Sequence, residues 1–385
     1  MEIARNGGRS LEDSAGGTAG LYQLKDVPFV FHVLPHHDNG GSGDTSLTRA
    51  QAEFAVSTTN KLFTIYDRQS GESQPFVSFK LDNLTIHQDV EFGRQLDCGD
   101  IPQDILGRLI RATEDWQYKF HAIVCESNQF SGRASFPRQY AVDHPMHNVI
   151  LMDYRSFACY DDQDNFLCEL SETREQVSHT RWWRTRSAMI AHETGHLFGL
   201  LHTFSSDCFL GSLFGGDGIS DTPVHTTAES KSCPGLLPYD KGREWNTWAN
   251  TGPNPISNAS EECSLTCGEA CGACCDIAGD GECPKYENDL DTISQDAFSF
   301  PQCCSSPRPV DSCPWSVGVD PLNNVMSYVP DECAHEFTIG QMTRMMFQIR
   351  QYKQIIYCNF ATTADPSVCG DVPCSILSTS PNCLS

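Results

Sequence analysis

The stretch His192-Glu193-Thr194-Gly195-His196-Leu197-Phe198-Gly199-Leu200-Leu201-His202 has the form H-E-x-x-H-x-x-G-x-x-H, and no other part of the chain constrains its folding as strongly. On a helix, His192 and His196 stand one above the other on a single face, where two imidazoles can grip one metal ion. Gly199 is the expected hinge. A glycine can take the left-handed conformation that ends a helix, and the chain then turns back so that His202 closes a three-histidine site. Three protein ligands leave a fourth position open, the mark of a catalytic zinc rather than a structural one. Glu193 is not needed to bind the metal. Its expected work is to take a proton from the zinc-bound water, whose pKa the metal lowers to about 7. The H-E-x-x-H core by itself also fits an amphipathic surface helix with incidental histidines, and the addition of Gly199 and His202 weighs against that reading.

The 20 cysteines in 385 residues exceed what a reduced cytosolic enzyme of this size carries, so the expected compartment is oxidising, that is, secreted or extracellular. The sequons Asn83-Leu84-Thr85 and Asn258-Ala259-Ser260 agree with a secretory route. Residues 1–20 are polar and glycine-rich with no apolar core, so they are not a signal peptide; they are expected to be a disordered N-terminus or propeptide remnant in a chain lacking its true start. No run approaches the length of a membrane span. Fifty acidic against 26 basic residues give a net charge of −24, which argues against nucleic acid or anionic membrane as a partner.

Val27 to Leu34 is apolar on both faces and predicts a central strand, in which His32 reads as a structural histidine rather than a ligand. Thr48 and Gln51 have capping-box spacing, and Phe54, Thr58, Leu62, Ile65 and Tyr66 recur at helical intervals behind them. Val77, Phe79 and Leu81 alternate as in a strand, and further strands are expected at 119–125 and 148–153. The helix carrying the histidines is expected to begin near Thr180 and run to Gly199, with Trp182 and Trp183 packing at its start. This order predicts an α/β fold, a twisted mixed sheet backed by helices.

Residues 234–311 differ in texture. Eight cysteines with many glycines and prolines predict a disulfide-stapled insertion, and Cys271-Gly-Ala-Cys274 reads as disulfide chemistry in preference to half of a zinc knuckle. Asp276, Asp280 and Glu287 have part of the spacing of a calcium loop, with Ala278 where another acidic ligand is expected; a solvated acidic turn is the alternative. Farther on, Thr338 and Gln341 form a second capping box, and Met342, Met345, Met346 and Ile349 make the apolar stripe of the helix it opens.

The long histidine motif resembles that of the metzincin zinc proteases, which place a methionine turn beneath the metal. Asn324-Val325-Met326-Ser327-Tyr328 is similar to that turn. On this likeness Met326 is an apolar floor under the imidazoles, and Tyr328 donates its hydroxyl to the oxyanion formed at a peptide carbonyl. The resemblance narrows to the pappalysin family through His-Thr-Phe at 202–204, Cys208, the Gly216-Asp-Gly…Asp221-Thr-Pro223 loop, Cys233, Asp311-Ser-Cys313-Pro, Cys333 and Phe337-Thr-Ile-Gly-Gln341. It implies a zinc cleft between an upper and a lower subdomain, disulfides Cys208–Cys313 and Cys233–Cys333, and a calcium held by Asp217 and Asp221. Setting those cysteines aside leaves an even number before the zinc helix, in the insertion and in the tail. Ser327 departs from the aspartate common in the family, so a preference for basic side chains is not carried over.

The expected organisation is a catalytic domain over 21–358, interrupted by the insertion, with a cysteine-containing tail at 359–385. The expected function is that of a secreted zinc endopeptidase, with a protein or peptide as its partner lying along the edge strand. The alternative is a secreted cysteine-rich binding protein on a zinc-bearing fold, which would have no need of Glu193.

Overall fold

A computed structural model describes residues 23–34, 47–67, 72–87, 97–127, 129–158, 187–205, 208, 216–226, 312–313, 318, 320–329, 334–370 and 372. The N-terminal stretch 1–20, Trp182, Trp183, the insertion 234–311 with Asn258, Asp276, Asp280 and Glu287, and both Cys233 and Cys333 lie outside the described residues.

Strand β1 (Leu24–Val33) leads into α1 (Arg49–Leu62), which is followed by β2 (Thr64–Asp67), β3 (Glu72–Pro75), β4 (Val77–Ile86), α2 (Gln103–Arg111), β5 (Phe120–Cys125), β6 (Gly132–Ala134) and β7 (Val149–Asp153). Then come α3 (Met189–Leu197), α4 (Ile339–Tyr352), α5 (Gln354–Phe360) and α6 (Pro366–Cys369). The main sheet runs β4-β1-β5-β7-β6. Its first four strands are parallel and β6 is antiparallel, so the expectation of a mixed sheet backed by helices is borne out. β1 and β5 are interior strands, which explains why neither alternates polar and apolar residues: both faces are covered. On one face Phe29, Phe31, Phe120 and Ala122 join a core with α1, α3, α4 and α5; on the other, Ile123, Cys125 and Val149 pack with α2.

Both capping boxes form. Thr48 Oγ1 accepts from Gln51 N–H at 3.2 Å while Gln51 Oε1 accepts from Thr48 N–H at 2.9 Å, and Thr338 with Gln341 repeats the arrangement. Helix α1 is shorter than its apolar spacing predicts. It ends at Leu62, and Ile65 and Tyr66 belong to β2, because the Thr64-Ile65-Tyr66 run finds a strand partner in β3. Its buried face is Ala52, Ala55, Val56, Thr59 and Leu62. The helix carrying the histidines is also shorter. Ser187 sits at φ 60°, a left-handed conformation that no α-helix contains, so α3 opens at Met189 and does not continue back towards Thr180. The packed unit continues past residue 358: Thr362 N–H donates to Gln23 O at 2.8 Å, Cys358 is bonded to Cys369, and Val372 lies in the same core. A disulfide also joins Cys98 to Cys125 beside α2.

His32 serves the sheet. Its ring lies between His87 and His121, with ring centroids 5.4 and 5.3 Å away. His121 Nε2–H donates to Trp116 O at 3.0 Å, which leaves His121 Nδ1 to accept from His32 Nε2–H at 3.0 Å. His32 Nδ1 then accepts from His87 Nε2–H at 3.1 Å, so one chain of hydrogen bonds fixes the tautomers with His32 and His121 neutral. Burial holds His32 down to about 2 and His121 down to about 4, against an ordinary 6.5. Below pH 6.5 the unfolded chain takes up protons that these two rings refuse. Their contribution to stability is therefore complete above that pH and is lost as the pH falls, towards 4 for His121 and towards 2 for His32, at about 1.4 kcal/mol per ring per pH unit. Between pH 7 and pH 5 the urea midpoint of metal-free protein should fall by less in His32→Asn than in wild type, and an equal fall in the two would rule out a neutral stack.

Candidate metal centre

Ile190, Ala191 and Leu197 bury α3 in the core, and Phe198 locks its end among Phe63, Phe79 and Phe120. The helix then stops by a Schellman turn: Gly199 N–H reaches His196 O at 2.8 Å and Leu200 N–H reaches Gly195 O at 2.9 Å. Gly199 adopts φ 91°, and a Cβ there would lie 2.7 Å from Gln348 Cγ, so both backbone and space call for glycine. This turn carries the chain round to His202.

The same turn aims a ligand. Leu200 O accepts from His196 Nδ1–H at 2.8 Å, and Val325 O, from the methionine turn, accepts from His192 Nδ1–H at 2.7 Å. With their Nδ1 atoms protonated by these contacts, both neutral rings turn an unprotonated Nε2 inward. His202 Nε2 lies 3.2 Å from His192 Nε2 and 3.0 Å from His196 Nε2. A proton on His202 serves only one of those lone pairs, whereas a cation at their meeting point satisfies all three. The donor set therefore fits a metal ion, and among the described residues it is the group of His, Cys, Asp or Glu that gathers for one. Burial keeps the rings neutral, with His192 down to about 3, His202 down to about 4, and His196 also lowered. Phe204 stacks on His202 at 4.7 Å between centroids and Tyr328 meets the same ring edge-on at 4.6 Å, which fixes the third imidazole.

Glu193 is buried beside these rings, and burial pushes its carboxyl up to about 8 while Arg133 pulls it back. A cation in the histidine site acts in the same direction as Arg133. Its side chain packs on Gly132 of β6, where an added Cβ would lie 2.6 Å from Glu193 Cγ and Oε1. Asp153 N–H donates to Ser131 O at 3.0 Å, so antiparallel alternation turns the N–H and C=O of Gly132 and Ala134 away from β7, towards the open edge. Neither Gly132 nor the two aiming carbonyls could be read from the sequence: β6 is three residues long, and a backbone acceptor leaves no mark in residue identity.

Met326 is fully buried against α3, and a Cβ on Gly195 would lie 2.5 Å from its sulfur. Its turn is held by a reciprocal amide pair. Asn324 Nδ2–H donates to Gln341 Oε1 at 2.8 Å and Gln341 Nε2–H donates to Asn324 Oδ1 at 3.0 Å, while Asn324 Oδ1 also accepts from Met326 N–H at 2.9 Å. Tyr328 is 44% exposed, its ring against those of His202 and Phe204. Cys208 is bonded to Cys313. Asp221 lies apart from the histidines, accepting from Thr338 Oγ1–H at 2.7 Å and Gly340 N–H at 2.8 Å at the start of α4. Asp217 accepts from Ile219 N–H at 3.0 Å through Oδ1; its Oδ2 is buried without a hydrogen-bond partner, and burial pushes the carboxyl up to about 7.

Residues 175–246 match the family model described as Pregnancy-associated plasma protein-A, which bears out the family resemblance read from the motifs. An extracellular metalloprotease of Sordaria macrospora is 27% identical over 162 residues, 42% of this chain and 30% of that protein. One of Colletotrichum graminicola is 28% identical over 164 residues, 43% of this chain and 31% of that protein. The matched stretches thus span less than a third of those relatives' lengths. The solved structure of Tannerella forsythia mature mirolysin in complex with a cleaved peptide superposes with a TM-score of 0.45 at 15% identity, covering 90% of this chain and 95% of that one.

Replacing Gln341 by leucine removes both amide bonds to Asn324 and leaves a buried donor unsatisfied, a cost of about 1–3 kcal/mol. Urea unfolding should show that loss, and a zinc competition titration should show weaker binding as Val325 O moves. Wild-type values in both measurements would mean that the amide pair does not hold the turn.

Proposed function

We propose that this chain, pappalysin-type across residues 175–246, is an extracellular zinc-dependent endopeptidase that cuts extended peptides. The observation that carries this reading is the convergence of three Nε2 atoms, two of them turned inward unprotonated by backbone carbonyls, with the buried Glu193 on the same helix and a sheet edge whose backbone groups point outward. The fungal relatives named as extracellular metalloproteases support the same reading.

His192, His196 and His202 are the proposed zinc ligands. When bound there, zinc supplies Lewis acidity that lowers the pKa of water to about 7 and polarises a carbonyl. The peptide lies along β6, its backbone pairing with Gly132 and Ala134 as an added strand. Glu193 takes a proton from the attacking water onto its carboxylate and delivers it to the departing amine nitrogen, acting first as base and then as acid. Gly132 keeps the space that this carboxylate occupies. Tyr328, exposed beside His202, is the proposed donor to the oxygen that gains charge as the carbonyl is attacked. Met326 and Gly199 are structural: one packs under the helix, the other turns the chain. Cys233 and Cys333 are proposed as a second disulfide on the family pattern, and Asp276, Asp280 and Glu287 as a further calcium loop on their spacing alone.

Incubation of the disulfide-bonded protein with a proteome-derived peptide library should yield cuts that disappear with Glu193→Ala and with a zinc chelator, while the Glu193→Ala protein still binds one zinc. If wild-type protein cuts nothing above these controls, the endopeptidase reading fails and a binding role takes its place.

Asp217 is the proposed calcium ligand of the 216–223 loop, with Asp221 adding negative charge nearby; the unpartnered Asp217 Oδ2 supports this. Calcium returned to chelator-treated protein should raise its melting midpoint, and Asp217→Asn should abolish that rise. An unchanged midpoint in wild type discards calcium here.

A further inference from the structure

The sheet has two ends, and the chain treats them oppositely. Among the described residues β6 is the last strand at one end, with backbone groups of Gly132 and Ala134 turned outward. The other end, β4, has no strand beyond it among the described residues, and an unprotected parallel edge invites pairing with a second molecule. Much of β4 is already blunted. Asn60, reaching from α1, donates from Nδ2 to Phe79 O at 2.9 Å and accepts from Phe79 N–H at 2.7 Å, occupying the outward backbone groups of that residue as a neighbouring strand does. The pairing with β1 then jumps from Leu81 to Asn83, leaving Asp82 as a bulge that is ion-paired to Lys119 at 2.8 Å.

Past the bulge the protection comes from Asn83. It is exposed, and its amide lies along the strand: Oδ1 accepts from Leu84 N–H at 2.9 Å and Nδ2–H donates to Thr85 Oγ1 at 3.1 Å. Directly after Thr85 the strand closes with Ile86, an apolar side chain 39% exposed at the same end. Asn83-Leu84-Thr85 is also an N-x-T sequon. We propose that Asn83 carries an N-linked oligosaccharide that closes the β4 edge against pairing with a second copy of this chain.

The inference rests on the extracellular part of the reading above, because the modification belongs to the secretory route. The donor is a polyprenyl-pyrophosphate-linked oligosaccharide. Asn83 Nδ2 forms a bond to the anomeric carbon of the first sugar and releases one proton to solvent, while the bond from that carbon to the pyrophosphate oxygen breaks and the lipid pyrophosphate leaves with its electron pair. The product keeps one Nδ2–H, the number of donors that the bond to Thr85 Oγ1 uses.

The test is expression of the full chain through a eukaryotic secretory pathway, with site occupancy read by peptide mass after enzymatic glycan release in heavy-oxygen water. Wild type should show a glycan on Asn83, lost in Asn83→Gln and equally in Thr85→Ala, which leaves the asparagine in place. Glycan removal from the folded wild-type protein should shift sedimentation from monomer to larger species at high concentration. A secreted protein with Asn83 unmodified, whether or not Asn258 is occupied, overturns the site; unchanged sedimentation after glycan removal overturns the edge role. Peptide cleavage by Asn83→Gln is expected to match wild type, so a failure of the peptidase reading is scored separately.

Discussion

Two backbone carbonyls decide the chemistry of this chain. Val325 O and Leu200 O each take the Nδ1 proton of an imidazole, and in doing so turn the other nitrogen of His192 and His196 towards His202. Everything around them can be understood as holding those oxygens in place. Leu200 O is placed by the turn at Gly199, which is itself seated by Phe198 in the aromatic core. Val325 O is placed by the Asn324–Gln341 amide pair, so the second capping box does double service: the residue that caps α4 also fixes the methionine turn. A histidine cluster built in this way would meet a metal ion with two of its three rings already aimed, because the backbone chooses their tautomers.

The sheet explains where a ligand of the site would lie. β7 pairs on one side with β5 and on the other with the short antiparallel β6, and α3 packs beneath both β6 and β7. Glu193 thus rests against the last described strand of the sheet, at Gly132, with the backbone groups of that residue facing away from β7. Core and edge are joined through one residue that has no side chain.

Much of this was legible in the residues. The interior strands β1 and β5 were visible because a strand covered on both faces is apolar throughout, and both capping boxes because their spacing encodes reciprocal hydrogen bonds. The three histidines were visible because their spacing matches a helix followed by a turn. The limits of the helices were less legible. α1 ends four residues before Tyr66 because a local strand pair outcompetes a continued helical period, and α3 starts at Met189 because Ser187 adopts a conformation that serine rarely takes. Gly132 and the carbonyls of Leu200 and Val325 left no trace at all, since they work through backbone position, which only the assembled fold determines. The histidine chain through His32 shows the reverse case: the residue suggested a structural role, but its two ring partners, just past β4 and in β5, are far away in sequence.

The Cys208–Cys313 bond has a consequence for how such a chain can change over time. The two cysteines are 105 residues apart, so the bond makes everything between them one covalently closed loop rooted next to His202 at one end and the methionine turn at the other. The entropy of closing a loop grows only logarithmically, by about 0.6 kcal/mol for each doubling of its length. Outside the 216–226 segment, whose Ile219, Asp221 and His225 pack on the core, α4 and Thr203, closure entropy therefore places little limit on how many residues the ring holds. The clasp lets the length of the ring vary while that segment and the imidazoles keep their places.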